Sequence, residues 1–224
     1  MNRKKWIVAN WKMNGDKNLL HSYASQFQNT KNMIICPPFV YFNNSLLNLG
    51  GQNVHHLPSG AYTGEISAQM LAESGSKYCL VGHSERRHFF GETDDLVKQK
   101  ALQCIEFGII PIICIGENSN DYLERRTEEV LTKQLQSCLP DSSSFWIAYE
   151  PLWAIGSGKT PNIDEISQIH NMIKLRFPGI VLLYGGSVNP KNAKEIFEIK
   201  SVDGVLVGGA CLNIESISAI YDCS

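Results

Sequence analysis

The feature that most constrains this sequence is a repeated alternation between short apolar segments and segments with helical periodicity. Most of the apolar segments are apolar at every position, which is typical of strands covered on both faces, as in a parallel sheet under helices. Eight such strands are predicted: Trp6–Trp11, Met33–Cys36, Gly51–His55, Tyr78–Val81, Ile109–Ile115, Phe145–Tyr149, Ile180–Tyr184 and Gly204–Val207.

Amphipathic helical stripes with capping residues lie between these segments. Asp16 precedes one stripe and Asn162 another, Asn189 with Pro190 forms a cap pair for a third, and Asn213 opens the last helix. With about 28 residues per strand–helix unit, the pattern predicts an α/β protein: a closed eight-stranded parallel (β/α)8 barrel ringed by helices.

The chain has no linker-like, low-complexity or charge-block segment that would divide it, so residues 1–224 are predicted to form a single domain. An open doubly wound sheet is the alternative fold. That fold normally carries G-x-G-x-x-G after its first strand, whereas the sequence from Asn10 to Gly15 reads NWKMNG. The barrel is therefore favoured.

Composition narrows the classes of function. The 224 residues carry a formal net charge of -2 and no run of like charges, which argues against nucleic acid as a partner. No apolar stretch is long enough to span a membrane, and Asn10 and Lys12 interrupt the apolar N-terminal stretch, so we expect a cytoplasmic protein. The seven cysteines form no C-x-x-C pair and are expected to be reduced, with no metal site among them.

The stretch from Phe145 to Pro161 is the first candidate for chemistry. A buried strand ends at Glu150, where a carboxylate can act as a base, and a loop with Gly156 and Gly158 follows. These glycines can bring backbone N–H groups close to an anion and let the loop change shape. The combination suggests a base beneath a lid, although a plain connecting loop would have the same composition.

Other polar residues are predicted at the same end of the barrel. Asn10 and Lys12 leave the first strand, and Lys12 would supply a cation for developing negative charge. His83 follows the fourth strand just before a helix start, so we expect the helix end to lower its pKa and keep it neutral. Glu85 would hold Lys12 by charge. A solvated lysine and a packing histidine are the alternatives.

Double glycines follow the last two predicted strands. Gly185 and Gly186 precede Ser187, and Gly208 and Gly209 follow the eighth strand. Each pair could be a tight turn, but the two together stand where barrels bind phosphate through backbone N–H groups.

These motifs, taken in order along the chain, closely resemble the triosephosphate isomerase family. The resemblance rests on Ala9–Asn14, Thr63–Ser67, Val81–Arg87, Phe90–Asp94, Cys114–Glu117, Ala148–Pro151, Trp153–Gly156, Tyr184–Val188 and Val207–Ala210. It implies the fold known as the TIM barrel, no metal or organic cofactor, and a triose phosphate substrate in glycolysis and gluconeogenesis.

The resemblance also implies roles for the site residues. Glu150 would move a proton between C1 and C2 of the substrate and His83 would polarise the carbonyl as a neutral imidazole, a division of roles already described for this family. Lys12 and Asn10 would stabilise the enediolate. The residues that would hold the phosphate are Gly156, Ser187, Gly208 and Gly209. Residues 151–161 would be the closing lid.

Family members are generally dimers, so the resemblance implies a homodimer in which the loop containing Thr63 reaches the partner's site. The chain departs from the family by being short between its first and third strands, by Cys211 beside the phosphate loop, and by Pro161, which we expect to stiffen the far end of the lid. Two other functions stay open: a catalytically silent phosphate-binding barrel, and an aldolase that uses Lys12 as a Schiff base.

Overall fold

The protein is described by a computed structural model covering residues 4–42, 46–142, 144–155 and 161–224. Within these residues eight strands form one parallel sheet. Their bounds are β1 (Trp6–Asn10), β2 (Met33–Cys36), β3 (Gly50–Gly51), β4 (Tyr78–Val81), β5 (Ile110–Ile115), β6 (Trp146–Tyr149), β7 (Val181–Tyr184) and β8 (Gly204–Val207).

The sheet closes on itself. Its order is β2-β1-β8-β7-β6-β5-β4-β3, and neighbouring strands pair in parallel, for example Ile7 with Met33 and with Val205. The seam between β2 and β3 is held by one parallel bridge, Ile35 with Leu49, and by the Ile35 N–H, which donates to Asn48 O at 2.9 Å. The predicted (β/α)8 barrel is confirmed.

Nine α-helices lie around the barrel in the described ranges. They are α1 (Lys17–Phe27), α2 (Ala68–Glu73), α3 (Ser84–Phe90), α4 (Asp94–Glu106), α5 (Ser119–Leu123), α6 (Thr127–Cys138), α7 (Ile163–Arg176), α8 (Ala193–Glu198) and α9 (Ile214–Asp222). The predicted caps Asp16, Asn162 and Asn213 each accept a backbone N–H of the first turn, which satisfies a donor that the helix itself leaves unpaired.

Side chains alternate between the barrel interior and the helix layer along each strand. The interior cluster includes Val8, Ile34, Leu80 and Ile112, whereas Ile7 belongs to the larger cluster under the helices. Because both faces of the strands are covered, they are apolar throughout, as the sequence indicates. Aromatic rings close the amino-terminal end of the barrel, where Trp146 lies 4.7 Å from Trp6 and 5.0 Å from Tyr78 between ring centroids.

Two expected elements differ from the structure by more than one residue. The third strand is Gly50–Gly51 and not Gly51–His55, because the chain leaves the sheet at Gln52, whose side chain donates to Lys12 O and Cys36 O at 2.8 Å each. The helix after β7 begins at Ala193 and not at Pro190. Asn189 begins a turn instead, and its carbonyl accepts the Asn192 and Ala193 N–H groups.

The connection from β2 to β3, residues 37–49, is the shortest between consecutive strands. Its described residues contain a single 3₁₀ turn, Phe39–Tyr41, and no α-helix. Among the described residues, the expected alternation of strand and α-helix therefore does not hold at this connection. No helix among the described residues is long and apolar enough to cross a membrane.

Candidate active site

The candidate site lies at the carboxyl ends of the strands, where loops from different strands converge. A cavity of about 300 Å³ is lined there by Asn10, Lys12, His83 and Glu150, together with the glycine-rich segments after β7 and β8. Residues far apart in the sequence thus meet in one place, as expected for parallel strands that all point in the same direction.

Asn10 and Lys12 leave β1 in a tight turn. Lys12 has a left-handed backbone, with φ of 54°, and its N–H donates to Asn10 Oδ1 at 3.0 Å, which stabilises this otherwise unfavourable conformation. The turn directs the ammonium group towards α3, where Lys12 Nζ lies 2.6 Å from Glu85 Oε1. The site therefore contains a cation held by both backbone geometry and charge.

His83 and Glu150 form the buried centre of the site. His83 is the N-cap of α3, and its Nδ1 accepts the Glu85 N–H at 3.2 Å. Since Nδ1 is an acceptor, the hydrogen of the neutral ring is on Nε2, which lies 3.1 Å from Glu150 Oε1. The other carboxylate oxygen, Oε2, accepts the Ser84 N–H at 3.1 Å. His83 and Glu150 are only 5% and 2% exposed, so solvent competes little with these contacts.

The pKa of each member of this pair is set by burial and by the other member. Burial lowers the pKa of His83, but the Glu150 carboxylate raises it, and the net shift is upward. This direction is opposite to the sequence-based expectation, because the helix start is visible in the sequence but the carboxylate contact is not. For Glu150, burial raises the pKa, while His83, the Ser84 N–H and Lys12 lower it, and the net shift is downward.

Two glycines let the chain approach Glu150 closely, and the sequence had not marked either for that purpose. A Cβ at Gly185 would lie 2.8 Å from Glu150 Cγ, and one at Gly116 would lie 1.7 Å from Glu150 O. Side chains at these positions would displace the carboxylate or its backbone. The only available signal was the occurrence of glycine immediately after β5 and β7.

The glycines after β8 form the opposite wall of the cavity. A Cβ at Gly208 would stand 3.4 Å from Lys12 Cε, whereas at Gly209 it would meet nothing within 4 Å. Gly209 begins a 3₁₀ turn, Gly209–Leu212, so its amide is available at a helix start. Ser187 lines the same cavity, and its hydroxyl donates to Ala154 O. Within the expected lid, Gly156 and residues 157–160 lie outside the described residues.

Cys211 packs beneath this wall and not in the cavity. Its Sγ donates to Asn10 O at 3.4 Å, and its own carbonyl accepts the Tyr23 hydroxyl at 2.6 Å. Burial raises the pKa of the thiol to about 12. Cys211 therefore links the end of β8 to the end of β1 as a neutral side chain. The described residues contain no group of three or more His, Cys, Asp or Glu placed to hold a metal ion.

Comparison with known proteins gives a consistent result. Residues 5–224 match the family model described as triosephosphate isomerase. A triosephosphate isomerase of Wolbachia pipientis wMel is 42% identical over 219 residues, covering 93% of this chain and 89% of that protein. One from Hahella chejuensis is 40% identical and covers 98% of each. The crystal structure of triosephosphate isomerase from Bartonella henselae matches with a TM-score of 0.89 at 34% identity, covering 99% of both chains.

The fold and the site define a (β/α)8-barrel enzyme with a buried carboxylate–imidazole pair at the carboxyl ends of its strands. The match to the family model spans nearly the whole chain, and the relatives are aligned over nearly their whole length. The chain belongs to the triosephosphate isomerase family.

Proposed function

We propose that this protein interconverts dihydroxyacetone phosphate and D-glyceraldehyde 3-phosphate by proton transfer through an enediolate. The observation that carries the proposal is the buried Glu150–His83 pair, 3.1 Å between Oε1 and Nε2, on the same cavity as Lys12 and the glycine wall. A base, a hydrogen-bond donor and a cation are the groups that this reaction needs, and the family relatives support the assignment.

In the first step Glu150 removes a proton from C1 of the ketone substrate. Both carboxylate oxygens accept hydrogen bonds in the structure, from His83 Nε2 and from the Ser84 N–H. These donors lower the pKa of Glu150 and burial raises it. When substrate draws His83 away, burial acts with less opposition, so the carboxylate becomes a stronger base at the moment when it is needed.

His83 and Lys12 act on the oxygen atoms of the substrate. With Nδ1 accepting the Glu85 N–H, the imidazole presents Nε2–H as a donor to the carbonyl oxygen, which becomes negatively charged as the C1 proton leaves. Lys12 and Asn10 stabilise the same enediolate, and His83 carries a proton from O1 to O2. Glu150 then returns its proton to C2, which leaves the aldehyde at C1 and a hydroxyl at C2. The phosphate group lies against Ser187, Gly208 and Gly209, where backbone N–H groups can reach it.

An assay in the presence of EDTA tests this function directly. Purified protein should convert glyceraldehyde 3-phosphate to dihydroxyacetone phosphate, and Glu150→Gln should reduce kcat by several orders of magnitude. Glu106→Gln, which neutralises an exposed carboxylate on α4, is the matched control and should retain activity. If folded wild-type protein is inactive yet binds a phosphate analogue, the silent binding barrel is the correct function instead.

Borohydride trapping with substrate separates the isomerase from the aldolase. A Schiff-base mechanism needs Lys12 as an uncharged amine, whereas Lys12 Nζ here forms a 2.6 Å ion pair with Glu85. We expect no covalent adduct. A stable adduct on Lys12 would favour the aldolase.

The proposed assembly is a homodimer formed around the loop that contains Thr63. Large apolar side chains are exposed near this loop and the site: Met13 at 95%, Phe89 at 71% and Phe90 at 67%. A second cavity of about 290 Å³, lined by Met13, Phe90 and Glu65, adjoins Lys12 and His83. A loop of a second subunit placed there would cover the apolar surface and contact the backbone that positions Lys12.

Light scattering after size-exclusion chromatography tests this assembly. Wild-type protein should elute as a dimer, and Thr63→Arg should shift it to monomer with reduced kcat. Gln136→Arg, at an exposed position on α6, is the control and should stay dimeric. A monomeric, fully active wild type would contradict the proposal.

Residues 1–224 are proposed to form one domain, since β1 pairs with both β2 and β8 and so joins the two ends of the chain. We also propose a cytoplasmic location. All seven cysteines are unpaired, the state expected in a reducing compartment.

A further inference from the structure

Tyr122 connects two segments on either side of the loop after Glu150. Its ring stacks on Trp153, with 4.0 Å between ring centroids and 25° between planes, and its hydroxyl donates to Glu165 Oε1 at 3.0 Å. Trp153 belongs to the 3₁₀ turn Leu152–Ala154, directly after Glu150 and Pro151. Glu165 is in the first turn of α7. Tyr122 thus contacts both the turn that follows the catalytic carboxylate and the start of the next helix.

The Trp153 side of this connection is anchored to Glu117. The indole Nε1 donates to Glu117 Oε1 at 2.9 Å, and the Leu152 N–H donates to Glu117 O at 3.0 Å. The Tyr149 hydroxyl contacts the same carboxylate oxygen at 3.2 Å. Glu117 therefore holds residues immediately before and after Glu150, and the stacked ring of Tyr122 covers the indole on its face.

The Glu165 side is anchored by a capping box. Asn162 N–H donates to Glu165 Oε2 at 2.9 Å, and the Glu165 N–H donates to Asn162 Oδ1 at 2.8 Å. The Tyr122 hydroxyl uses the remaining oxygen, Oε1, so all three contacts can exist together. Burial and the Glu165 contact raise the pKa of the Tyr122 hydroxyl, which keeps it a proton donor at neutral pH.

These contacts bear on the position of Glu150. Its N–H donates to Ile115 O at 2.7 Å, and Pro151 restricts the backbone that leads to the Leu152–Ala154 turn. Ile155, next after the turn, lines the catalytic cavity. Very few rotatable bonds separate the Leu152–Ala154 turn from Glu150, so a displacement of the turn would also displace Glu150. The reaction rate would then fall, because it depends steeply on the position of the reacting group.

We propose that Tyr122 is a positioning residue for this reaction, which holds the Leu152–Ala154 turn against Glu117 and ties it to helix α7. This inference rests on the proposed isomerase function. Tyr122 does not line the catalytic cavity, so it acts through Trp153 and Glu165. A purely structural Tyr122 would stabilise the fold without changing the chemistry of the folded enzyme.

Steady-state kinetics of single and double variants separates these roles. Tyr122→Phe keeps the stacked ring and removes the hydroxyl, and we expect kcat to fall about 3- to 10-fold with KM within about 2-fold and Tm nearly unchanged. Glu165→Ala removes the same hydrogen bond from the other side. In the Glu165→Ala background, Tyr122→Phe should have no further effect on kcat. Tyr122→Leu, which also loses the stack, should be slower than Tyr122→Phe.

Leu123→Ala is the matched control, because Leu123 is in the same short helix and 75% exposed, and its kcat should equal that of the wild type. The inference is overturned if Tyr122→Phe and Tyr122→Leu retain wild-type kcat while only Tm falls, or if Tyr122→Phe and Glu165→Ala reduce kcat independently. Inactive wild-type protein would instead remove the proposed function, and this inference with it.

Discussion

Gly185→Ala should slow catalysis by displacing Glu150 without removing any catalytic group. The added Cβ would lie 2.8 Å from Glu150 Cγ and 3.3 Å from Tyr149 O. Carbon atoms in good contact are about 3.5 Å apart, so Cγ must move by about 0.7 Å. Misplacement of about 1 Å can cost about 10²-fold in rate, so we expect kcat to fall roughly 30- to 100-fold, or about 2–3 kcal/mol of transition-state stabilisation.

The assay is steady-state isomerisation, with KM and Tm measured in parallel. KM should change less than kcat, since the expected phosphate-binding residues Ser187, Gly208 and Gly209 are not substituted. Gly179→Ala is the control: Gly179 has φ of 84° and an open environment, so the variant should lose stability through backbone strain yet keep kcat. If the kcat of folded Gly185→Ala were within about 3-fold of the wild-type kcat, the reasoning that close packing around Glu150 controls the rate would be refuted.

Three further predictions concern charge. The Glu150–His83 pair should stabilise the fold between the lowered pKa of Glu150 and the raised pKa of His83. The contribution is lost as pH falls through the pKa of Glu150 or rises through the pKa of His83. The difference in unfolding free energy between wild type and Glu150→Gln should therefore be larger at pH 6 than at pH 9, and an equal difference would contradict this. Glu92→Gln leaves buried Lys100 without its carboxylate partner and should cost about 3 kcal/mol, or roughly 6–12 °C in Tm by calorimetry. Asp121→Asn, whose partner Arg126 is half-exposed, should cost under about 1 kcal/mol in the same measurement. Lys12→Met should lower kcat/KM by about 10³-fold, and a loss below about 10-fold would argue against a charge-stabilising role.

The barrel could be predicted from the sequence because strands covered on both faces are continuously apolar and their helices carry local caps such as Asp16 and Asn162. The third strand was misplaced because Val54 is buried and apolar, yet the chain around it forms hydrogen bonds outside the sheet ladder. The Gln52 side chain donates to Lys12 O and Cys36 O, and the His55 N–H donates to Ile66 O. An apolar segment indicates burial, but it does not by itself show that the segment pairs as a strand.

Site residues were likewise predictable only where their signal is local. Glu150, His83 and Lys12 stand at strand ends and could be selected on that ground. The upward pKa shift of His83 could not be predicted, because it depends on the carboxylate of Glu150, 67 residues away in the chain. The role of Gly185 beside Glu150 depends in the same way on distances between distant segments, which no sequence pattern encodes.

The central claim, proton transfer by Glu150, is tested most directly by converting dihydroxyacetone phosphate in D₂O and analysing the product by NMR. A carboxylic acid exchanges its proton with solvent, so wild-type protein should produce glyceraldehyde 3-phosphate with deuterium at C2, and Glu150→Gln should produce almost none in the same time. Product formed at the normal rate by Glu150→Gln, with or without deuterium, would contradict Glu150 as the base.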